Sequence, residues 1–203
     1  MRVLITGFGP FPGAPFNPSA ALAKALARRR RPALAGIERV VHVFATTYAA
    51  VDRDLPKLFA QKPKPDIVLM FGVAGRRRQL CIETRARNAV SLLFPDASGH
   101  RPLRGIIRLG GPATRAGNAP FARLAGAAGT RLSRDAGSYL CNYVYWRALE
   151  QVRGIRPLVQ FVHIPPVGTK PLPRRRSKRP PTLAQLLKPA EALLIALIAA
   201  SRR

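Results

Sequence analysis

The segment Asp66-Ile-Val-Leu-Met-Phe71 is apolar at five successive positions after its first residue, so neither alternating face of a strand built from it can meet water. Such a strand must be covered on both sides, as a central strand of a parallel sheet is when helices pack on each face. Leu158-Val-Gln-Phe-Val-His-Ile164 has the same character, and Arg2-Val-Leu-Ile-Thr6, bounded by Gly7, reads as a buried first strand. Segments of helical period separate these runs. The pattern implies an α/β fold, and 203 residues suffice for one domain over 1–203 that buries roughly 70% of its unfolded surface.

Taken in order, the first strand leads into Gly7-Phe-Gly-Pro-Phe-Pro-Gly13, too rich in glycine and proline for regular structure. It is a loop at a strand's carboxyl end, the edge where open α/β sheets bind ligands. Phe8 and Phe11 on that loop either line an apolar pocket or cover the core. Asn17-Pro18 supplies an N-cap and a first-turn proline for a helix to about Arg29. A strand over Arg39–Ala45, a junction at Thr46 and a helix over Tyr48–Phe59 follow. Gly72-Val-Ala-Gly75 reads as a second loop at a strand end, and Leu80–Val90 as an extended segment carrying Glu83 among arginines. Glu83 taken alone suits a surface ion pair with Arg85 or Arg87. The stretch Leu92–Gly117 reads as loops, with a hairpin around Ile106–Arg108. A short helix near Phe121–Ala127, a strand near Thr130–Leu132 and a helix over Tyr143–Val152 come next. Lys170–Pro181 reads as a basic, proline-rich mobile connection, after which Thr182 caps a final helix to about Ala200.

Thirty-five lysines and arginines against nine acids give a formal charge of +26, a field able to hold nucleic acid non-specifically. The dense runs at Arg28–Arg31, Arg76–Arg78 and Arg174–Arg179 carry no zinc-finger, homeodomain or RNA-binding spacing. Solvated faces are the simpler account of them. Two cysteines cannot form a disulfide framework, and no signal peptide is evident, which favours a reducing cytoplasm. The longest apolar run, Ala192–Ala200, is half of the ~18 residues a span requires, so no membrane partner is expected.

Chemistry is most concentrated at Ala136-Gly-Ser-Tyr-Leu-Cys-Asn142. Cys141 stands just before an apolar helical run, where unpaired N–H groups and the helix dipole favour a thiolate. A cysteine nucleophile needs a base and a group to orient it. Of three histidines, His163 stands at the carboxyl end of a buried strand, a place histidines more often occupy for structural reasons. A metal site of Cys81, Cys141 and His163 lacks paired ligand spacing. Cys81 suits a small buried apolar residue, and no cofactor is expected.

With these pieces in place the chain resembles the pyroglutamyl-peptidase I family, cysteine peptidases that remove an N-terminal pyroglutamate from peptides. The resemblance rests on Thr6-Gly-Phe-Gly-Pro-Phe-Pro-Gly13 with Asn17-Pro-Ser19, and on Gly72-Val-Ala-Gly-Arg-Arg77 followed by Glu83-Thr-Arg-Ala-Arg-Asn88. It continues in Ser133-Arg-Asp-Ala-Gly-Ser-Tyr-Leu-Cys-Asn142 and in Phe161-Val-His-Ile-Pro165. It implies a three-layer α/β/α sandwich with a mixed, mostly parallel sheet of the phosphorylase/hydrolase-like kind. Cys141 would be the nucleophile, His163 its base and Glu83 the orienting acid. Phe8, Phe11, Thr46, Phe94, Tyr139 and Leu140 match the family's pocket wall, backbone near Val73 would hold the lactam, and Asn17 would fix the first loop. It also implies a homo-oligomer, tetramer or dimer. Leu93 stands where family members commonly carry arginine, Arg76 where a glycine is usual, Asp135 where threonine or serine is usual, and Gly9 where an acid is common. These departures leave room for a family member with impaired catalysis that works as a basic polyanion-binding protein.

Overall fold

The computed structural model describes residues 1–11, 15–152, 154–168 and 180–202. Eight strands and five α-helices are found among them: β1 (Arg2–Phe8), α1 (Pro18–Ala27), β2 (Glu38–Phe44), α2 (Tyr48–Ala60), β3 (Ile67–Val73), β4 (Cys81–Glu83), β5 (Arg85–Arg87), β6 (Thr114–Ala116), α3 (Phe121–Ala128), β7 (Arg131–Ser133), α4 (Leu140–Glu150), β8 (Leu158–Ile164) and α5 (Leu183–Ser201). Six strands form one sheet in the order β2-β1-β3-β8-β4-β7, and β5 pairs with β6 in a separate antiparallel ribbon. Every pairing in the large sheet is parallel except β4 against β8. The sheet is mixed and mostly parallel, as the family resemblance implies.

The two faces have separate cores. One is filled from α1, α3 and α5, with Leu22, Leu26, Leu124, Leu193 and Leu197 fully buried against Val3, Ile5 and Leu69. The other is filled from α2 and α4 against Leu4, Val68, Met70 and Phe161. Tyr145 and Trp146 of α4 are fully buried, and burial of each such side chain contributes about 2 kcal/mol. The alternation of β8 assigns Phe161 to the α4 face and Val162 and Ile164 to the other, which leaves His163 on the α4 side.

Helix α1 starts as the sequence implies. Asn17 accepts from the Ser19 N–H at 3.1 Å, a cap worth about 1 kcal/mol, and Pro18 opens the first turn. The start of this helix packs so tightly on β1 that a Cβ at Gly7 would fall 2.6 Å from the Ser19 carbonyl, so only glycine fits there. Helix α5 has a complete capping box between Thr182 and Gln185. At 19 residues it is long and apolar enough to cross a membrane by length and composition. Its leucines instead form the core against α1 and α3, and its Glu191 pairs with Arg29 and Arg31.

Three local expectations are corrected. Gly72 and Val73 are strand, not loop, because β8 pairs with β3 through Gly72↔His163 and Val73↔Ile164. No hairpin forms at Ile106–Arg108: the Asn88 side chain accepts from the N–H groups of Ile107 and Arg108, and the short pairing falls to Thr114–Ala116. Helix α4 begins at Leu140 rather than Tyr143, which draws Cys141 into its first turn. The connection read at 170–181 lies outside the described residues except for Pro180 and Pro181, as do Pro12 and Gly13 of the first loop.

Candidate active site

At the carboxyl edge of the sheet, β3, β8, β4 and the start of α4 bring Cys141, His163 and Glu83 together. His163 Nδ1 lies 2.8 Å from Glu83 Oε1, which leaves Nε2 for its hydrogen bond with Cys141. Burial alone would pull the His163 pKa down. The hydrogen bonds with Cys141 and Glu83 outweigh it and raise the pKa to about 9, so the imidazolium is the resting form at neutral pH.

Glu83 is fully buried, and that overturns its reading as a surface ion-pair partner. Arg85 bonds the Arg134 carbonyl, and Arg87 pairs with Asp135 at 2.9 Å. The cation beside Glu83 is Arg77, whose Nη2 lies 3.7 Å from Oε1 and donates to Ser133 Oγ at 2.8 Å. Its backbone is anchored as firmly. The Glu83 carbonyl accepts from Tyr145 Oη of α4 and from Gln160 Nε2 of β8, each at 3.0 Å. Asn142, next to the cysteine and fully buried, accepts from the Arg87 N–H at 2.8 Å and donates to the carbonyls of Arg87 and Ala89. The cysteine helix and the acid-bearing segment are thereby joined by side chains whose only visible signal in the sequence is an asparagine beside the cysteine.

Cys141 is half-buried at the second position of α4, and Tyr139 provides no side-chain cap. The first bond back along the helix runs from Tyr143 N–H to the Tyr139 carbonyl, so the N–H groups of Leu140, Cys141 and Asn142 precede the helical ladder. Gly72 closes the site from below. A Cβ there would sit 2.7 Å from Cys141 Sγ and 2.7 Å from the Phe161 ring, a close approach that the loop reading of this glycine missed.

The residues matched to a pocket wall separate into groups. Thr46 and Asn17 both donate to the Gly9 carbonyl, at 2.9 and 3.0 Å, and fasten the loop after β1. Phe8 packs into the core against Phe44, Phe11 is half-buried and Leu140 is buried. Tyr139 is half-buried, and its hydroxyl donates to the Pro95 carbonyl at 2.9 Å. Phe94 stands apart, 62% exposed. The segment after it is held down by buried Asp96, which accepts from the N–H groups of Tyr48, Ser98 and His100, and by the Ala97 N–H on the Thr46 carbonyl. Val73 carries a distinct backbone feature. Ala74 N–H bonds toward β8, so by alternation the N–H and C=O of Val73 face the β1 side. The β1–β3 ladder ends earlier, at Thr6↔Met70.

Cys81 is buried at the position opposite His163 in the β4–β8 ladder, and burial pushes its thiol pKa up. No group of three potential metal ligands occurs among the described residues. Of the departures from the family motifs, Leu93 is exposed, while Asp135 accepts from the Gly137 N–H at 3.0 Å and braces the turn before Cys141. A Cβ at Gly9 would meet only the Phe44 carbonyl at 3.5 Å, so its absence is not forced by space.

The family model described as pyroglutamyl peptidase matches residues 1–203. Pyrrolidone-carboxylate peptidase of Gloeobacter violaceus is 33% identical over 172 residues, covering 81% of this chain and 82% of that protein. The Bacillus subtilis protein of the same name is 32% identical over 172 residues, covering 81% and 78%. Among solved structures, pyrrolidone carboxyl peptidase from Thermococcus litoralis superposes with a TM-score of 0.86 at 24% identity over 99% of this chain and 94% of that one. Pyroglutamyl peptidase I from Bacillus amyloliquefaciens gives 0.78 at 27% over 100% and 97%.

Proposed function

The chain belongs to the pyroglutamyl peptidase family of cysteine-type hydrolases, and on that premise we propose that it releases N-terminal pyroglutamate from peptides through Cys141, His163 and Glu83. The observation that carries this reading is the hydrogen-bonded array of a half-buried thiol, an imidazole raised to about 9 and a fully buried carboxylate at one sheet edge.

The chemistry follows from the array. With the imidazolium at rest, Cys141 serves as the thiolate and attacks the pyroglutamyl carbonyl. The developing oxyanion is met by the N–H of Cys141 and its neighbours in the first turn of α4. His163 then gives its proton to the departing amine, the C–N bond breaks, and a thioester remains. The neutral imidazole draws a proton from water, which clears the acyl group and restores the thiolate. Glu83 holds Nδ1 so that Nε2 faces the sulfur, and Arg77 balances a carboxylate that is otherwise costly to bury.

Pyroglutamate is a neutral lactam with no free amine, so its site needs apolar walls and a few hydrogen bonds. The N–H and C=O of Val73, turned to the β1 side beyond the last β1–β3 pair, suit the ring carbonyl and ring N–H. Phe11, Tyr139 and the methyl of Thr46 are the walls. A fluorogenic pyroglutamyl amide is expected to be cleaved and its prolyl counterpart left intact. Iodoacetamide is expected to inactivate the protein with one label on Cys141 and none on buried Cys81. No cleavage of the pyroglutamyl amide, or inactivation that tracks labelling of Cys81, refutes the assignment.

Free thiols suit a cytoplasmic setting. We also propose assembly into a homo-oligomer. At +26 per chain such an assembly needs anions to screen its faces, so sedimentation is expected to show association that strengthens with ionic strength. A monomer at every salt concentration refutes it.

A further inference from the structure

A concavity adjoins the site and shares Arg77 with it. It is a cavity of about 420 Å³ whose walls include Arg77, Arg78, Pro165, Pro166, Pro181 and Gln185. Two of its walls continue directly from the active-site strands: Arg77 and Arg78 follow β3, which carries Gly72, and Pro165 follows β8, which carries His163.

The order of strands says what reaches it. Along the carboxyl edge, Thr46 follows β2, the Gly9 loop follows β1, Gly72 and Cys141 stand at β3, His163 at β8 and Glu83 at β4. The acyl pocket therefore lies on the β1–β2 side of the sulfur, and the imidazole that protonates the leaving amine lies on the opposite side. The cavity opens where β8 ends, with Gln185 of α5 in its wall, so a peptide leaving over β8 would cross the sheet edge from the α4 side to reach it.

Among the described residues its lining is cationic and contains no carboxylate. The Arg77 guanidinium is engaged with Ser133 and Glu83. Arg78 is exposed and forms no hydrogen bond or ion pair among the described residues. A free guanidinium fork beside stiff proline walls matches a carboxylate in shape and charge.

We propose that this cavity receives the leaving peptide and that Arg78 pairs with a carboxylate on it, favouring pyroglutamyl peptides with Asp or Glu among the first three residues after the scissile bond. This rests on the assignment of Cys141 and His163. Because the pair is partly exposed, the preference is about threefold to fivefold in kcat/KM.

The test is a set of pyroglutamyl peptides with Asp, Ala or Lys at each of those three positions. They are assayed with the intact protein, with Arg78→Ala and with Arg30→Ala, which removes the same charge beyond the end of α1 at the opposite sheet edge. The expected result is an acidic preference at one or more positions, lost in Arg78→Ala and kept in Arg30→Ala, with the fluorogenic pyroglutamyl amide cleaved equally by all three. A preference unchanged in Arg78→Ala, or weakened equally by Arg30→Ala as the summed field would have it, overturns the subsite. No charge preference in a protein that cleaves the simple amide overturns the subsite alone. Failure to cleave the simple amide overturns the active-site assignment and the subsite with it.

Discussion

Cys141→Ala is expected to lower turnover of a pyroglutamyl amide by roughly 10⁴-fold or more, to the background rate, with the fold intact. The side chain is half-buried and small, and alanine preserves the start of α4, so lost activity cannot be assigned to unfolding. The variant also reports on the pair. The His163 pKa is raised to about 9 by hydrogen bonds with Cys141 and Glu83 against the downward pull of burial. Removing the sulfur deletes one upward contribution and leaves burial in place, so the imidazole pKa must fall, and proton NMR titration of the ring would read it directly. The sign carries over to the intact protein. A raised pKa keeps the proton on the imidazole at neutral pH, so the acid needed by the leaving amine is present, and kcat/KM is expected to decline only as pH rises through about 9. A decline centred near the ordinary histidine value, or a Cys141→Ala protein that still turns over, would refute the coupled pair.

The central strands β1, β3 and β8 were legible because they are buried on both faces and are therefore mostly apolar; Leu158–Ile164 is bounded as its composition implies. The acid was not legible from its own surroundings. Glu83 stands among arginines in a strand of three residues, too short for any period to mark a buried face. Its burial is a tertiary event, produced when β4 inserts antiparallel between β8 and parallel to β7, and its cation comes from six residues upstream rather than from Arg85 or Arg87. The same limit hid Asn142 and Tyr145, whose partners lie 55 and 62 residues away. Phe94 shows the converse. Motif position matched it to a pocket wall, yet it is exposed, and buried Asp96 two residues on holds the segment down through N–H groups that no local pattern announces.

Gly72→Ala is expected to cost about 10²-fold or more in kcat/KM and about 1–3 kcal/mol in stability, although it adds only one methyl group. That methyl would sit 2.7 Å from both Cys141 Sγ and the Phe161 ring, well inside contact distance. Neither neighbour can yield without consequence. Phe161 is fully buried, with its ring 5.8 Å from Tyr145 and 5.1 Å from His163, so a shift is passed to the side chain that bonds the Glu83 carbonyl and to the imidazole itself. The sulfur can move only by leaving the rotamer that meets His163. Gly126→Ala, exposed on α3, is the control: its added Cβ meets nothing within 4 Å and should leave kcat/KM unchanged and stability no lower. Steady-state kinetics and thermal melts of the two variants separate the outcomes. Wild-type kcat/KM in Gly72→Ala would mean that the sulfur need not lie against β3 to work, and the alignment of thiol, imidazole and carboxylate along the sheet edge would lose its basis.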